Sequence, residues 1–208
     1  MKKIYKVVII FIVFSLLLFN NQVIAKSKYQ AQWQESIKAN KKILNQKVKQ
    51  NDIKKHFKLG VAYANLGKID LAKKEFDILN ELENEQKTEQ IIEEYKIKSK
   101  KDPNNLFYLN YLGFAYYAND DYQLSLDIFK KIVKKDPKNI WSYNYLGTIY
   151  GKLENYDEAE KVLKKSMEIE SDKYTHFLLG AVYYKSGHIF KALYHMGHSG
   201  NVGTKFMD

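Results

Sequence analysis

A repeat in the sequence is the strongest constraint on how this chain can fold. The string NYLGFAYY begins at Asn110, and NYLGTIYG begins at Asn144, 34 residues later. A Leu-Gly pair occurs at four such places, and each glycine is followed three residues later by a tyrosine. A sequence period of this length indicates an array of repeated structural units. The glycines are Gly60, Gly113, Gly147 and Gly180, with spacings of 53, 34 and 33 residues.

The repeated positions predict pairs of closely packed helices. Leu, Gly and Tyr at positions i, i+1 and i+4 share one helical face. Because glycine has no side chain, a second helix can approach the first one closely there. Each following segment carries a small residue, and in three copies a bulky residue comes four positions later. The small residues are Ala72, Ser125, Ala159 and Ala192, and the bulky ones are Phe76, Phe129 and Leu163.

This order of residues resembles the tetratricopeptide repeat, a helix–turn–helix unit of 34 residues. The stretch 106–139 matches the pattern most fully, with Ser125 in place of the usual alanine. The copy at 140–172 has Ser171 where proline is usual, and the copy at 53–86 lacks the terminal proline. The resemblance implies an all-α fold, namely a tetratricopeptide-type helix–turn–helix solenoid.

The remaining segments are assigned around these units. The first spacing exceeds a repeat by 19 residues, and KTEQIIEEYKIKSKK supplies an extra helix there. Since 69–101 contains no Gly or Pro, one long helix over that stretch stays open. The predicted organisation is a signal peptide (1–25), a capping helix (26–52), a unit (53–86), the extra helix (87–105), two units (106–139 and 140–172), a partial unit (173–198) and a flexible tail (199–208).

The first 25 residues have the order of a secretory signal. Lys2, Lys3 and Lys6 precede an apolar run at 7–19, and small residues precede Lys26. A helix over this run covers about 20 Å, which is short of the ~30 Å hydrocarbon core of a bilayer. We therefore expect cleavage and export to a periplasmic, cell-surface or extracellular location. A membrane anchor is the alternative.

Composition excludes several classes of chemistry. All 34 basic residues are lysine, there is no cysteine, and the formal net charge is +10. The chain therefore has no disulfide, no thiolate nucleophile and no cysteine-ligated zinc. No phosphate-binding loop or nucleophile motif is present, so we predict neither an enzyme nor a cofactor. His188, His195 and His198 lie near the end of the chain without a nearby carboxylate in sequence, so no metal site is predicted.

The resemblance also implies a partner-binding surface. In tetratricopeptide arrays, residues two, five, nine and twelve of each first helix line a concave groove. Here this groove would be aromatic, with two asparagines one repeat apart, and it would bind an extended or helical segment of another protein. Packing of these aromatic residues between repeats is the alternative. With Gly151 and Ala181 at the two small positions, the predicted partner-binding residues are Phe107, Asn110, Phe114, Tyr117, Trp141, Asn144, Thr148, Tyr174, Phe177 and Tyr184.

Two other modes of interaction stay open. Lysines collect late in the second helices, and a basic convex stripe could dock onto anionic lipid or wall polymer. Acidic residues are interspersed, so an ordinary solvated surface is the alternative interpretation of this stripe. Nucleic acid is not the expected partner. Self-association through the incomplete last repeat is the other mode. The stripe consists of Lys130, Lys131, Lys134, Lys135, Lys138, Lys161, Lys164 and Lys165.

Overall fold

The computed structural model describes residues 29–45, 52–82 and 85–203, so the predicted signal peptide lies outside it. The described chain contains ten helices and no strand, which confirms the all-α prediction. The helices are α1 (29–44), α2 (Ile53–Asn65), α3 (Ile69–Leu82), α4 (Glu85–Lys101), α5 (Leu106–Ala118), α6 (Tyr122–Lys135), α7 (Ile140–Lys152), α8 (Tyr156–Ile169), α9 (Lys173–Lys185) and α10 (Ile189–His198).

The repeat glycines lie where two helices meet, as the spacing predicts. A Cβ atom on each of the first three would collide with a side chain of the paired helix, and on the fourth it would be in tight contact. It would lie 2.6 Å from Phe76 at Gly60, 2.9 Å from Phe129 at Gly113 and 2.5 Å from Leu163 at Gly147. In the last unit Met196 takes this place, 3.0 Å from a Cβ at Gly180.

The turn between paired helices has the same backbone conformation in all four units. The residue seven positions after each repeat glycine has a positive φ, between 57° and 80°. Glycine adopts this left-handed region freely, whereas other residues pay a steric cost. The four residues are Gly67, Asp120, Glu154 and Gly187.

The Asp-Pro pairs end one helix, and the asparagines after them begin the next. α4 ends before Asp102 and α6 ends before Asp136, since the residue before proline disfavours helical geometry. The Asn105 side chain accepts hydrogen bonds from the N–H groups of Phe107 and Tyr108, at 3.1 and 3.2 Å. Asn139 accepts one from Trp141 in the same way, so both asparagines are helix N-caps.

The helices stack as a solenoid from α4 onward. α6 packs on α7, α8 packs on α9, and α4 packs on α5 in the same manner. The stretch 69–101 forms two helices, α3 and α4, and not one long helix. In the stack, α4 occupies the position that the second helix of a preceding unit would have. No helix in the described part of the chain is long and apolar enough to span a membrane.

Candidate functional site

The chain's own N-terminal helices lie against the predicted groove residues of α5. The ring of Trp33 in α1 lies 4.1 Å from that of Phe107, and Phe76 in α3 stacks on Phe114 at 6.0 Å. Phe57 in α2 lies 6.2 Å from Tyr111, measured between ring centroids. This part of the inner face is thus occupied by α1, α2 and α3.

The end of α2 and the turn after it cover the first half of α7. The Tyr145 hydroxyl donates a hydrogen bond to the backbone oxygen of Ala64 at 2.7 Å, and burial raises its pKa. The indole of Trp141 lies directly on Gly67, where a Cβ atom would collide with it. Trp141 also packs edge-on against Tyr174, with ring centroids 5.8 Å apart. Trp141, one of the predicted partner-binding residues, is therefore in contact with its own chain.

The two asparagines predicted to contact a peptide are buried. Asn110 is 0% exposed, and its amide donates to the backbone oxygen of Leu106 at 2.8 Å. The Asn144 amide oxygen accepts a hydrogen bond from the Thr175 hydroxyl at 3.0 Å. One polar atom of each amide makes a structural contact, and the other, Asn110 Oδ1 or Asn144 Nδ2, is buried without a partner among the described residues. Neither amide is exposed to a groove in this conformation.

The first helix of the last unit, α9, leaves its predicted partner-binding residues more exposed. Tyr174 and Phe177 are half-buried, whereas Tyr184 is 65% exposed. The neighbouring helix α10 adds exposed apolar side chains, with Phe190 90% exposed. The others on α10 are Ile189, Leu193 and Tyr194.

An apolar cleft, the central cleft, lies between the first helix pair and the middle of the array. Its volume is about 490 Å³. It is lined by three predicted site residues, Phe114, Tyr117 and Thr148. The other lining residues are Ile53, Phe57, Phe76, Leu79, Asn80, Thr88, Ile91, Ala115, Ala118, Phe129, Tyr145 and Ile149.

A second, polar pocket, the acidic pocket, lies where α1, α2, α7 and α9 meet. Its volume is about 280 Å³, and its walls include Trp33, Trp141 and Asn65. Three carboxylates and one ammonium group line it, from Asp136, Glu170, Asp172 and Lys138. Tyr29, Gln30, Leu66, Gly67, Asn139 and Ile140 complete the lining. The two pockets have no lining residue in common.

The structure brings histidines together at the α9–α10 contact. The Nδ1 atoms of His176 and His195 are 3.0 Å apart, and the ring of His198 stacks on His176 at 5.1 Å. Among the residues that the structure describes, no group of three or more His, Cys, Asp or Glu could hold a metal ion.

The lysines of the convex stripe differ between the two helices that carry most of them. On α8, Lys161, Lys164 and Lys165 form ion pairs within the helix with Glu158, Glu160 and Glu168. On α6, Lys130, Lys131, Lys134 and Lys135 are all exposed. The positive charge that is not compensated within a helix is therefore concentrated on α6.

Sequence reasoning missed the residues that cover the groove. Phe57 and Phe76 occupy ordinary repeat positions, and Trp33 lies outside the repeats, so the repeat pattern assigns none of them to the inner face. The aromatic spacing of α1 was the only signal, because it predicts an apolar helical face that must be covered.

Comparison with known proteins identifies the repeats. Tetratricopeptide-repeat family models match residues 56–90 and 107–172. The chain therefore contains tetratricopeptide repeats, a scaffold for protein–protein interaction. No curated protein matches the sequence.

Solved structures share the fold. The MamA MSR-1 C2 structure has a TM-score of 0.51 and 19% identity, covering 85% of this chain and 98% of that one. TTC0263, a thermophilic TPR protein in Thermus thermophilus, has a TM-score of 0.51 and 17% identity, covering 86% and 87%. A second MamA structure has a TM-score of 0.50 and 20% identity, covering 87% and 90%. At these identities the likeness concerns the fold alone.

Proposed function

We propose, from the tetratricopeptide repeats that the chain contains, that it is an exported scaffold that binds a segment of another cell-envelope protein in the central cleft. The proposal of export rests on the basic start and apolar run of the first 25 residues. The apolar lining of the cleft carries the proposal of binding, since it includes three residues predicted to face a partner.

The cleft selects its partner by apolar contact. Six of the fifteen residues that line it are aromatic, and Phe114 is packed against both Phe129 and Tyr145, with ring centroids 5.5 and 4.8 Å apart. Rigid aromatic walls that bury a few bulky side chains are typical of binding hot spots. The preferred ligand is therefore a segment, extended or helical, that presents large apolar residues.

Asn110 and Asn144 have no part in this proposal, since both are buried. Trp141 contributes indirectly, because its contact with Gly67 holds the α2–α3 pair, which forms one wall of the cleft. Phe107 packs against α1, which has no residue in the cleft.

Blocking the rim of the cleft tests the proposal. Ala118 is exposed and lines the cleft, so Ala118→Trp places an indole in the opening without removing a core side chain. Gln123→Trp adds the same side chain at an exposed position of α6 and is the matched control. Captured proteins from solubilised envelope extract are identified by mass spectrometry, and circular dichroism checks that both variants fold.

We expect the unmodified chain and Gln123→Trp to capture the same partner, and Ala118→Trp to lose it. Equal capture by all three would contradict the proposal. Capture by all three that disappears at high salt would instead favour docking through the lysines of α6, since exposed charge contacts are screened.

A further inference from the structure

The last helix has an exposed apolar face. Of the eight large apolar side chains that are exposed in the described part of the chain, four lie on α10. Three of these, Phe190, Leu193 and Tyr194, are 90%, 64% and 60% exposed. With the exposed Gly197 they occupy positions i, i+3, i+4 and i+7, which lie on one side of a helix. These four residues are called the α10 face.

The other second helices are polar at two of these positions. Phe190 and Tyr194 lie two residues before and two residues after Ala192, the buried alanine of the repeat pattern. The residues at the same two positions of the other units are all exposed and polar or charged. An exposed aromatic pair is therefore a property of α10 and not a requirement of the repeat. The polar pairs are Asp70 and Lys74 in α3, Gln123 and Asp127 in α6, and Asp157 and Lys161 in α8.

The last unit also lacks acidic residues. Residues 173–203 contain three lysines and four histidines but no aspartate or glutamate, whereas each of the three preceding units contains at least four carboxylates. The Tyr183 hydroxyl of this unit donates a hydrogen bond to Glu160 of α8, but that carboxylate is ion-paired with Lys164. The positive charge beside the α10 face is therefore not compensated within its own unit.

An exposed apolar face beside uncompensated positive charge fits the surface of an anionic membrane. Aromatic and leucine side chains insert at the level of the lipid headgroups, while lysines extend toward the lipid phosphates. A second copy of the chain that paired through the same face would bring positive charge against positive charge, with no carboxylate to offset it. The face also protrudes, since neither the central cleft nor the acidic pocket is lined by a residue of α10.

We propose that α10 binds the surface of an anionic membrane. Phe190, Leu193 and Tyr194 insert at the headgroup level. Lys185 and Lys191, which are both exposed, face the lipid phosphates. The helix lies along the surface, since its ten residues cover only about 15 Å of a ~30 Å hydrocarbon core. This site is separate from the central cleft and from the lysines of α6, so it is tested separately from partner capture.

A single label reports on this face, because the chain contains no cysteine. A cysteine replaces Gly197, where a Cβ atom would have nothing within 4 Å, and carries an environment-sensitive fluorophore. Gly151→Cys, at an equally open position of α7, is the matched control. Each labelled full chain is mixed with vesicles of phosphatidylcholine and phosphatidylglycerol in equal parts, and with vesicles of phosphatidylcholine alone. The emission wavelength and the quenching by nitroxide-labelled lipid are recorded.

We expect a blue shift and lipid quenching at position 197 on the anionic vesicles, and neither at position 151. Most of this response should be lost on phosphatidylcholine alone and at high salt, because the lysines lose their electrostatic attraction. Binding through the apolar run at 7–19 alone would leave both labels in water and would overturn the proposal.

Serine variants test the aromatic pair. Phe190→Ser combined with Tyr194→Ser, in the chain labelled at position 197, should lose most of the blue shift and the quenching. Gln123→Ser combined with Asp127→Ser changes the same repeat positions of α6 and should leave both unchanged. Circular dichroism checks that both variants fold.

Three results would overturn the proposal. They are no response at position 197 on anionic vesicles, an equal response at position 151, and an unchanged response in the Phe190→Ser, Tyr194→Ser variant. A blue shift that grows with protein concentration without vesicles, and that the same variant loses, would instead assign the α10 face to a second copy of the chain.

Discussion

At the scale of single residues, the repeat glycines set the distance between paired helices. Leu163 is fully buried and lies where a Cβ on Gly147 would have to be, 2.5 Å from its Cγ. Gly151, one turn later on the same helix, has nothing within 4 Å of such a Cβ. Gly147 is therefore required for the close packing of the two helices, whereas the space around Gly151 would accept a side chain.

This difference predicts opposite effects for the same substitution. Gly147→Ala should lower the free energy of unfolding, because overpacking a core costs about 1–3 kcal/mol and exceeds the gain of about 1 kcal/mol in helix propensity. Gly151→Ala should raise it by up to about 1 kcal/mol. Urea denaturation of both variants measures the two changes. A Gly147→Ala variant as stable as the unmodified chain would contradict the packing role.

The sequence predicted the contacts of these glycines but not the burial of the asparagines. Gly113 and Phe129 belong to the same unit, so their contact follows from local spacing. Burial of Asn144 depends on Thr175 in the next unit, and the cover over the inner face comes from α1, α2 and α3. A single repeat contains no information about such long-range contacts.

At the scale of elements, the contact between α9 and α10 contains histidines that resist protonation. Burial, followed by the charge of His198, lowers the pKa of His176. Burial, followed by the charges of His176 and His198, lowers the pKa of His195. Nearby carboxylates act in the opposite direction without reversing the shifts, Asp172 on His176 and Glu160 on His195.

These shifts predict a loss of stability in mild acid. The unfolded chain takes up protons on these histidines near pH ~6.5, whereas the folded chain takes them up only at lower pH. Their contribution is therefore fully present above pH ~6.5 and decreases as the pH falls below that value. Denaturation at pH ~7.5 and ~5 should show a smaller pH dependence for His195→Gln than for the unmodified chain. His188→Gln, at the exposed turn, is the control, and an equal pH dependence in all three would refute the assignment.

A side-chain hydrogen bond joins α2 to α7. Tyr145 and Ala64 are joined by a hydrogen bond across 81 positions of sequence. We expect Tyr145→Phe to lower the free energy of unfolding by about 1 kcal/mol, because a buried hydrogen bond is lost. The Ala64 carbonyl keeps the N–H of Gly67 as a second partner, at 3.1 Å. Tyr143→Phe, on the same helix, is the matched control. Equal stabilities of the two variants, measured by urea denaturation, would show that this bond does not hold α2 in place.

At the scale of the whole molecule, the repeat period predicted the solenoid. The position of the first helix pair, α2 and α3, depends instead on the packing of α4. That helix stacks on α5 as a second helix would, so α2 and α3 cannot occupy the same place and lie over the inner face instead. The irregular first spacing indicated an additional helix, but its length alone could not say where the displaced pair would go.

The position of this pair determines whether the central cleft exists, and photo-crosslinking measures it most directly. A benzophenone amino acid replaces Lys68, which is exposed and adjacent to the glycine under Trp141. In a second variant of the chain, the control, the same amino acid replaces Lys73, which is exposed on α3. Crosslinked peptides are identified by mass spectrometry at a concentration where the chain is monomeric. We expect crosslinks from position 68 to the start of α7 around Trp141, and none there from position 73. Crosslinks from position 68 that never reach α7 would contradict this arrangement, because they would show that the first pair does not cover the inner face.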